Sequence, residues 1–285
     1  MGIVKIITDS TVYLPERYKK DLLIDEIPLH VIWGEQIYRD NVDITPDQFY
    51  ERLSKEKTMP TTSQPSPQEF VELYQEFLDD GMDILSIHIS SNLSGTFESA
   101  QKAKEILGAD NITVVDSRFT SLGTGFQAIA AAKRAQEGAS LQECTRAAEN
   151  LRKNTHIYFV VSTLEFLRRG GRIGGAAAFL GSALQLKPIL FIDDGKIEAY
   201  EKVRTLSKAL QRNVEIFQEK IKDHQPVYLG FAQATAPEST AVLKEEIFSR
   251  FPADHFCEVV EAGLSPVIGV HAGPGAVALC FAWEE

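Results

Sequence analysis

The chain has 285 residues, of which 44% are hydrophobic and 24% charged, which is typical of a globular protein with a substantial core. Its formal net charge of −11 argues against nucleic-acid binding, which needs clustered lysine and arginine, and against docking on an anionic lipid surface. The N-terminus predicts a strand and not a signal peptide, and no stretch approaches the ~18 apolar residues of a membrane-spanning helix. With three widely spaced cysteines, these features predict a reduced, cytoplasmic protein.

The first half of the chain alternates short apolar runs with helix signals. Strands are predicted at 3–7, 83–89 and 112–116. Helices are predicted after N-capping signals at Thr45, Ser66 and Ser140. The helix after Ser66 has apolar residues at helical spacing and ends at Gly81. Strands separated by helices of this length indicate parallel βαβ units with right-handed crossovers.

The second half predicts a different arrangement. A strand is expected at 156–161, and the segments 188–192 and 196–200 are expected to form a hairpin around an Asp-Gly turn. Further helices are predicted near 206–221 and 239–251, and further strands at 227–232 and 276–283. An antiparallel hairpin does not fit an all-parallel sheet. We therefore predict an α/β protein with an N-terminal parallel α/β domain, residues 1–158, and a C-terminal α+β domain with a mixed sheet, residues 159–285.

Common catalytic and cofactor motifs are not matched. There is no phosphate-binding Gly-x-x-x-x-Gly-Lys loop and no Gly-x-Ser-x-Gly nucleophile turn. The segment 123–128 fits Gly-x-Gly-x-x-Ala, but six residues separate it from the strand end at Asp116, too many for a dinucleotide-binding turn. Six scattered histidines show no metal-ligand spacing. The sequence therefore predicts no catalytic residue, no metal and no cofactor.

Four segments concentrate hydroxyl groups, glycine or positive charge. They are 59–65 with Thr61 and Thr62, 90–96 with Ser94, 164–174 with Arg172, and 266–275 with His271. Taken singly, each also fits a structural role, such as helix capping, a surface turn or a buried histidine. Because the Ser94 segment connects the end of a strand to the start of a helix, it can bind an anion. Together the four segments indicate a site for a small anionic group.

Six segments in the same order resemble the DegV family over essentially the whole chain. They are Thr8-Asp9-Ser10, 60–65, 90–96, Asp116-Ser117 with Ser121 and Gly123, 170–174, and 270–275. The resemblance implies the two-domain fold above, with one long-chain fatty acid such as palmitate in a tunnel at the domain junction. It also implies that some members present this lipid to the separate ATP-binding subunit of a bacterial fatty acid kinase, which phosphorylates the carboxylate.

The resemblance also implies roles for particular residues. Thr62 and Ser94 would bind the carboxylate, with Thr61 and His271 close by. Arg172 would lie near the portal and face the kinase partner. The function that follows is a fatty-acid carrier that is not itself an enzyme.

Two other functions remain open from the sequence. One is a small-molecule enzyme, either a hydrolase that uses Ser94 or a kinase subunit; the lack of a nucleotide loop and of a clear general base argues against it. The other is a regulatory protein whose bound lipid reports the state of the membrane. Turnover by the purified chain would indicate the first, and a stable partner without acyl transfer would indicate the second.

Overall fold

The computed structural model describes residues 3–181 and 186–284. The strands are β1 (Val4–Asp9), β2 (Ile24–Ile27), β3 (His30–Trp33), β4 (Gln36–Arg39), β5 (Thr61–Ser63), β6 (Asp83–His88), β7 (Ile112–Asp116), β8 (His156–Val160), β9 (Ile189–Asp193), β10 (Lys196–Glu201), β11 (Val227–Gln233), β12 (Phe256–Gly263) and β13 (Val277–Trp283). The α-helices are α1 (Glu16–Leu22), α2 (Pro46–Lys55), α3 (Pro67–Asp79), α4 (Thr96–Leu107), α5 (Ser121–Gln136), α6 (Leu141–Lys153), α7 (Glu165–Arg169), α8 (Leu206–Ile221), α9 (Pro237–Arg250) and α10 (Pro266–Ala272). Two short 3-10 helices cover Gly174–Phe179 and Ala253–His255.

The first sheet is parallel throughout and has the order β2-β1-β6-β7. Alternate side chains along its strands point to opposite faces. Ile7 and Ile84 pack with α3 and α4 on one face, and Ile6 and Leu85 pack on the other face in a core shared with α5 and α6. The predicted N-terminal parallel α/β arrangement is therefore confirmed.

The second sheet is mixed and has the order β10-β9-β8-β13-β11-β12. Only its β11–β12 pair is parallel, while the other neighbours are antiparallel, including the predicted β9–β10 hairpin. The predicted boundary at residue 158 falls inside β8, which pairs with β9 and β13 of this sheet. We propose a boundary before His156, since it keeps β8 within one domain.

Helix α5 joins the two halves. Every residue from Ser121 to Ala132 is buried, because the helix packs against β1 of the first sheet and against β11 and β13 of the second. A Cβ atom on Gly123 would lie 2.7 Å from Cδ1 of Ile157 and 2.9 Å from Cβ of Phe119, so a larger residue would force these neighbours to move. The Gly-x-Gly pair that resembles a dinucleotide turn in the sequence is thus part of a packed helix.

Two elements that carry predicted site residues were not predicted as regular secondary structure. A small antiparallel sheet with the order β4-β3-β5 places Thr62 opposite Val31, in a segment interpreted from sequence as an extended loop. The segment 266–275, also interpreted as a loop, contains α10, whose N-terminus is capped by the Ser265 side chain at the Ile268 amide. His271 therefore lies in the last turn of a helix.

A half-buried histidine in the second sheet, His156, predicts a pH dependence of stability. Burial, together with the charge of Lys220, lowers the pKa of His156 from 6.5 to about 4. Between about pH 6.5 and pH 4 His156 binds a proton in the unfolded chain but not in the folded chain. The free energy of unfolding therefore falls as the pH falls through this range. The His156 ring packs 5.1 Å from Phe281 and 5.3 Å from Trp283, and phenylalanine can replace it. When the pH is lowered from 7 to 5, the free energy of unfolding of the wild type should fall. In His156→Phe we expect this fall to be about 1–2 kcal/mol smaller.

Urea unfolding of both proteins at the two pH values measures this difference. Equal losses in the two proteins would show that His156 does not titrate in this way.

Candidate functional site

A cavity lies at the junction of the two halves, and its empty space, counted together with the open solvent at its mouth, is about 890 Å³. Its walls are mainly apolar: the second sheet contributes residues such as Ile157, Phe159 and Ile192, and the first half contributes Leu29 and Ile89. Leu29 and Ile89 follow strands of the first sheet, so the cavity lies at the carboxyl ends of those strands, where ligands bind in open α/β sheets.

The structure brings four of the five predicted site residues to this cavity. Thr62, Ser94, Arg172 and His271 all line it, although they come from four separate segments of the chain. Thr61, the fifth, is exposed at the start of β5 and is not among the residues that line the cavity.

His271 and Thr62 are in direct contact. Nε2 of the imidazole lies 2.9 Å from Oγ1 of Thr62, while Nδ1 is buried without a partner among the residues that the structure describes. A buried N–H without an acceptor is costly, so the proton belongs on Nε2. His271 then donates to Thr62, and the Thr62 hydroxyl hydrogen is free to point into the cavity.

His271 is neutral near pH 7. Burial, together with the nearby positive charge of Arg172, lowers the pKa of its imidazole from 6.5 to about 4. The close packing of Gly170 explains much of this burial: a Cβ atom there would lie 2.1 Å from Nδ1 of His271. The imidazole therefore acts as a fixed hydrogen-bond donor that positions Thr62, and not as a second positive charge.

Ser94 lies just before the start of α4. Its Oγ is 2.9 Å from Oγ1 of Thr96, and the N-cap residue is Gly95, so no side chain accepts a hydrogen bond from the first turn of this 12-residue helix. The alternative that Ser94 or Thr96 caps the helix is therefore wrong. A Cβ on Gly95 would lie 3.0 Å from Nε2 of Gln64, so the segment that follows Thr62 packs against the Ser94 loop. The two hydroxyl segments and a free helix N-terminus meet at this wall of the cavity.

Arg172 ties the turn after α7 to the Ser94 loop. Its Nε donates to the carbonyl of Leu93 at 3.1 Å and its Nη1 to the carbonyl of Gly170 at 2.7 Å. These bonds hold a half-buried positive charge at the cavity wall. That Arg172 faces a partner stays a prediction.

Three buried side chains next to the site are linked by hydrogen bonds. Oδ2 of Asp9 lies 3.1 Å from Nδ1 of His88, whose Nε2 is 2.6 Å from Oγ of Ser86. Asp9, His88 and Ser86 are fully buried and none of them lines the cavity. The carboxylate of Asp9 also accepts from the amide of Ile89 at 2.9 Å, so these hydrogen bonds fix the start of the loop that leads to Ser94. Although it contains acid, imidazole and hydroxyl groups, the arrangement is closed to a substrate.

Four polar residues of the cavity wall were not predicted as site residues. They are Ser63, Gln64, Thr120 and Ser121. Gln64 lies within the Thr62 segment, and Ser121 is one of the residues that carry the family resemblance, so both had a signal in the sequence. Within 3–181 and 186–284, no group of three or more histidine, cysteine or acidic residues could hold a metal ion. None of the helices in those ranges is long and apolar enough to cross a membrane.

Comparison with known proteins gives a consistent result. A family model described as "Uncharacterised protein, DegV family" matches residues 3–284. A DegV domain-containing protein of Listeria innocua is 37% identical over 279 residues, which are 98% of each chain, and the protein DegV of Bacillus subtilis is 36% identical over 99% of each chain.

The similar solved structures include two that match over their full length. The structure of a DegV family protein from Thermus thermophilus, which binds fatty acid, covers 100% of both chains with 36% identity and a TM-score of 0.93. The structure of DegV from Bacillus subtilis, a fatty acid binding protein, also covers 100% of both chains, with 37% identity and a TM-score of 0.90. The match of the family model, of the sequences and of the folds over nearly the whole chain shows that this protein belongs to the DegV family.

Proposed function

We propose that this protein binds one long-chain fatty acid, with the acyl chain in the cavity and the carboxylate at Thr62 and Ser94. The observation that carries the proposal is that two hydroxyl groups and the free N-terminus of α4 meet at one wall of a mainly apolar cavity. The fatty acid binding of the Thermus thermophilus and Bacillus subtilis relatives supports it.

The energetics suit this ligand. A palmitate chain has about 15 carbons beyond the carboxyl group, and burial at ~0.8 kcal/mol per CH₂ supplies on the order of 10 kcal/mol before ordering costs. A carboxylate cannot be buried without hydrogen bonds. The Thr62 and Ser94 hydroxyls and the amides of α4 supply donors, and Arg172 supplies a compensating charge at the same wall.

The hydrogen bonds of Ser94 and His271 favour a binding protein over an enzyme. Ser94 is hydrogen-bonded to Thr96, and the imidazole of His271 is hydrogen-bonded to Thr62. Within the described residues, Ser94 therefore has no imidazole in hydrogen-bonding contact to activate it as a nucleophile. The hydrolase alternative predicts such a contact, and the carrier function does not require one.

We further propose that the protein presents the bound carboxylate to a separate ATP-binding kinase subunit in the cytoplasm. In support, the wall that holds Ser94 and Arg172 continues directly into α7, whose Arg168 and Arg169 are exposed and pair with Glu165. Incubation of palmitate with ATP and a bacterial fatty acid kinase subunit tests this proposal. Acyl phosphate should form only when this chain is also present, and equal formation without it would contradict the proposal.

Native mass spectrometry of the purified protein, followed by denaturation and identification of the released molecule, tests fatty acid binding directly. We expect a stoichiometric mass increase that corresponds to a fatty acid of about 14 to 18 carbons, the length whose burial yields the energy above. A protein that stays free of ligand after incubation with palmitate and with oleate would overturn the proposal.

The Thr62→Val substitution tests the hydroxyl on β5. Valine keeps the shape of the side chain but removes both the donor to the carboxylate and the acceptor for Nε2 of His271. Losing one hydrogen bond to a charged group costs ~1.5–3 kcal/mol, so we expect palmitate affinity to fall at least tenfold in a calorimetric titration.

Thr61→Val is the matched control, because Thr61 is the exposed neighbour on the same strand. Its affinity should stay within about twofold of the wild type, since exposed substitutions of this kind rarely change free energies by more than ~0.5 kcal/mol. Equal losses in the two variants would contradict the assignment of Thr62 as the binding residue.

A further inference from the structure

We propose that Thr120 and Ser121 form a second polar subsite inside the same cavity, and that it binds an oxygen substituent, a hydroxyl or keto group, on the acyl chain. This inference rests on the proposed function and narrows it to a class of ligand: oxygenated long-chain fatty acids. The two hydroxyls come from the segment that follows β7, whereas Thr62 lies on β5 and Ser94 in the loop after β6.

The first argument is that two buried hydroxyl groups lack partners. Oγ1 of Thr120 and Oγ of Ser121 are both buried, and neither has a hydrogen-bond partner among residues 3–181 and 186–284. Ser121 is only 5% exposed, and both residues line the cavity. Buried hydroxyls are costly unless they are paired, so their presence in an apolar wall indicates a ligand atom that pairs with them.

The second argument is the backbone around the two hydroxyls. Thr120 is the N-cap residue of α5, yet its side chain accepts no hydrogen bond from the first turn of this 16-residue helix. Ser121 has a φ of 50°, in the left-handed region that residues other than glycine rarely adopt. Backbone in this conformation is typical of binding sites, where it is kept because it positions a functional group. Here it holds the Ser121 side chain at the cavity wall.

The neighbouring hydroxyls of the same segment, unlike this pair, have hydrogen-bond partners. Ser117, four residues before Ser121, pairs with Thr124 at 2.8 Å, and Gln127 donates to the carbonyls of Ser117 and Gly123 at 3.0 Å. The Ser117 and Thr124 hydroxyls behind α5 are therefore paired within the protein, although Oε1 of Gln127 also lacks a partner among the described residues. Only the two hydroxyls that line the cavity lack such bonds within the described part of this segment.

A ligand with an oxygen on its chain satisfies the pair. A chain hydroxyl both donates and accepts, so it can accept from one protein hydroxyl and donate to the other. A site that contains buried polar groups also discriminates against a ligand that leaves them unpaired, which here is a plain alkyl chain. The polar pair therefore acts as a selectivity element within the acyl cavity.

Competition binding to the full-length protein tests this proposal, with palmitate against 3-, 10- and 16-hydroxypalmitate as probes. We expect at least one hydroxypalmitate to bind the wild type about tenfold more tightly than palmitate, or ~1.4 kcal/mol. In Ser121→Gly, which fits the left-handed backbone, and in the isosteric Thr120→Val, this preference should fall to about equal affinity. Palmitate itself should bind both variants at least as well as it binds the wild type.

Each other outcome has a definite meaning. If no hydroxypalmitate exceeds palmitate, or if the preference survives in both variants, the subsite proposal is wrong while fatty acid binding stands. If Ser121→Gly weakens palmitate as much as it weakens the hydroxypalmitates, the pair binds the carboxylate and the proposal is likewise overturned. If the folded wild type binds none of the probes, the proposed function fails and this inference fails with it.

Discussion

We expect the Gly170→Ala variant to lose palmitate binding at least tenfold and to unfold more easily than the wild type. Gly170 has φ of −72° and ψ of −8°, which alanine adopts readily, so the backbone does not oppose the change. The added Cβ would lie 2.1 Å from Nδ1 and 2.9 Å from Cε1 of His271, a contact that the imidazole must relieve by moving. That movement breaks the hydrogen bond that orients Thr62, and overpacking of this kind costs ~1–3 kcal/mol of stability.

A double variant separates this clash from other effects of the alanine. In Gly170→Ala combined with His271→Ala, the imidazole is absent and the new methyl group has room. We expect the double variant to be as stable as His271→Ala alone, so that the two stability changes are strongly non-additive. Thermal unfolding and calorimetric titration with palmitate measure both quantities. Wild-type affinity in the Gly170→Ala single variant would show that His271 does not position Thr62.

We expect the Ser94→Ala variant to bind palmitate about 10- to 100-fold more weakly, with little change in stability. The side chain is half-buried at the cavity wall and its only hydrogen bond within the described residues is with Thr96, so its loss leaves the fold intact. What is lost is a donor to a carboxylate, and hydrogen bonds to charged groups contribute ~1.5–3 kcal/mol.

Ser249→Ala is the matched control for this prediction. Ser249 is an exposed serine near the end of α9, where its hydroxyl donates to the carbonyl of Glu246. The same chemical change at that position should leave palmitate affinity within about twofold of the wild type. If the two serine variants bind palmitate equally well, the carboxylate does not contact Ser94.

Elements with strong local signals could be predicted from the sequence. Helices α2, α3 and α6 begin at the predicted residues, because Thr45, Ser66 and Ser140 each form a full capping box with the residue three positions later. The β9–β10 hairpin turns at Asp194 and Gly195, both with positive φ, which is the conformation that an Asp-Gly turn favours. In each case a few neighbouring residues determine the structure.

Elements that depend on distant contacts could not be predicted. Strand β5 has three residues, and it exists because Thr62 pairs with Val31 across the small sheet. Helix α10 contains Gly269, a poor helix former, because a Cβ there would lie 2.6 Å from the hydroxyl of Tyr50. The sequence shows the glycine but not the neighbour that requires it.

The residues that line the cavity could be predicted in part, but their contacts could not. Four segments with hydroxyl groups or charge were recognised, and Thr62, Ser94, Arg172 and His271 do line one cavity. The pairing of His271 with Thr62 joins residues that are 209 positions apart, and no local pattern reports it. The two hydroxyls at Thr120 and Ser121 were missed as site residues because a lack of hydrogen-bond partners is visible only in three dimensions.

The burial of α5 has a consequence for how a ligand enters and leaves. If the two halves swung apart as rigid bodies about a hinge, the helix would have to leave β1 or else β11 and β13, and residues 121–132 would be exposed to water. Exposure of so much packed surface is far more costly than a local rearrangement. We therefore expect exchange through local movement of the short segments that line the cavity, such as α7 with Leu167, while the two sheets stay joined. Lipid exchange should then be fast compared with global unfolding, and proteases should cleave first near α7 and not between the domains.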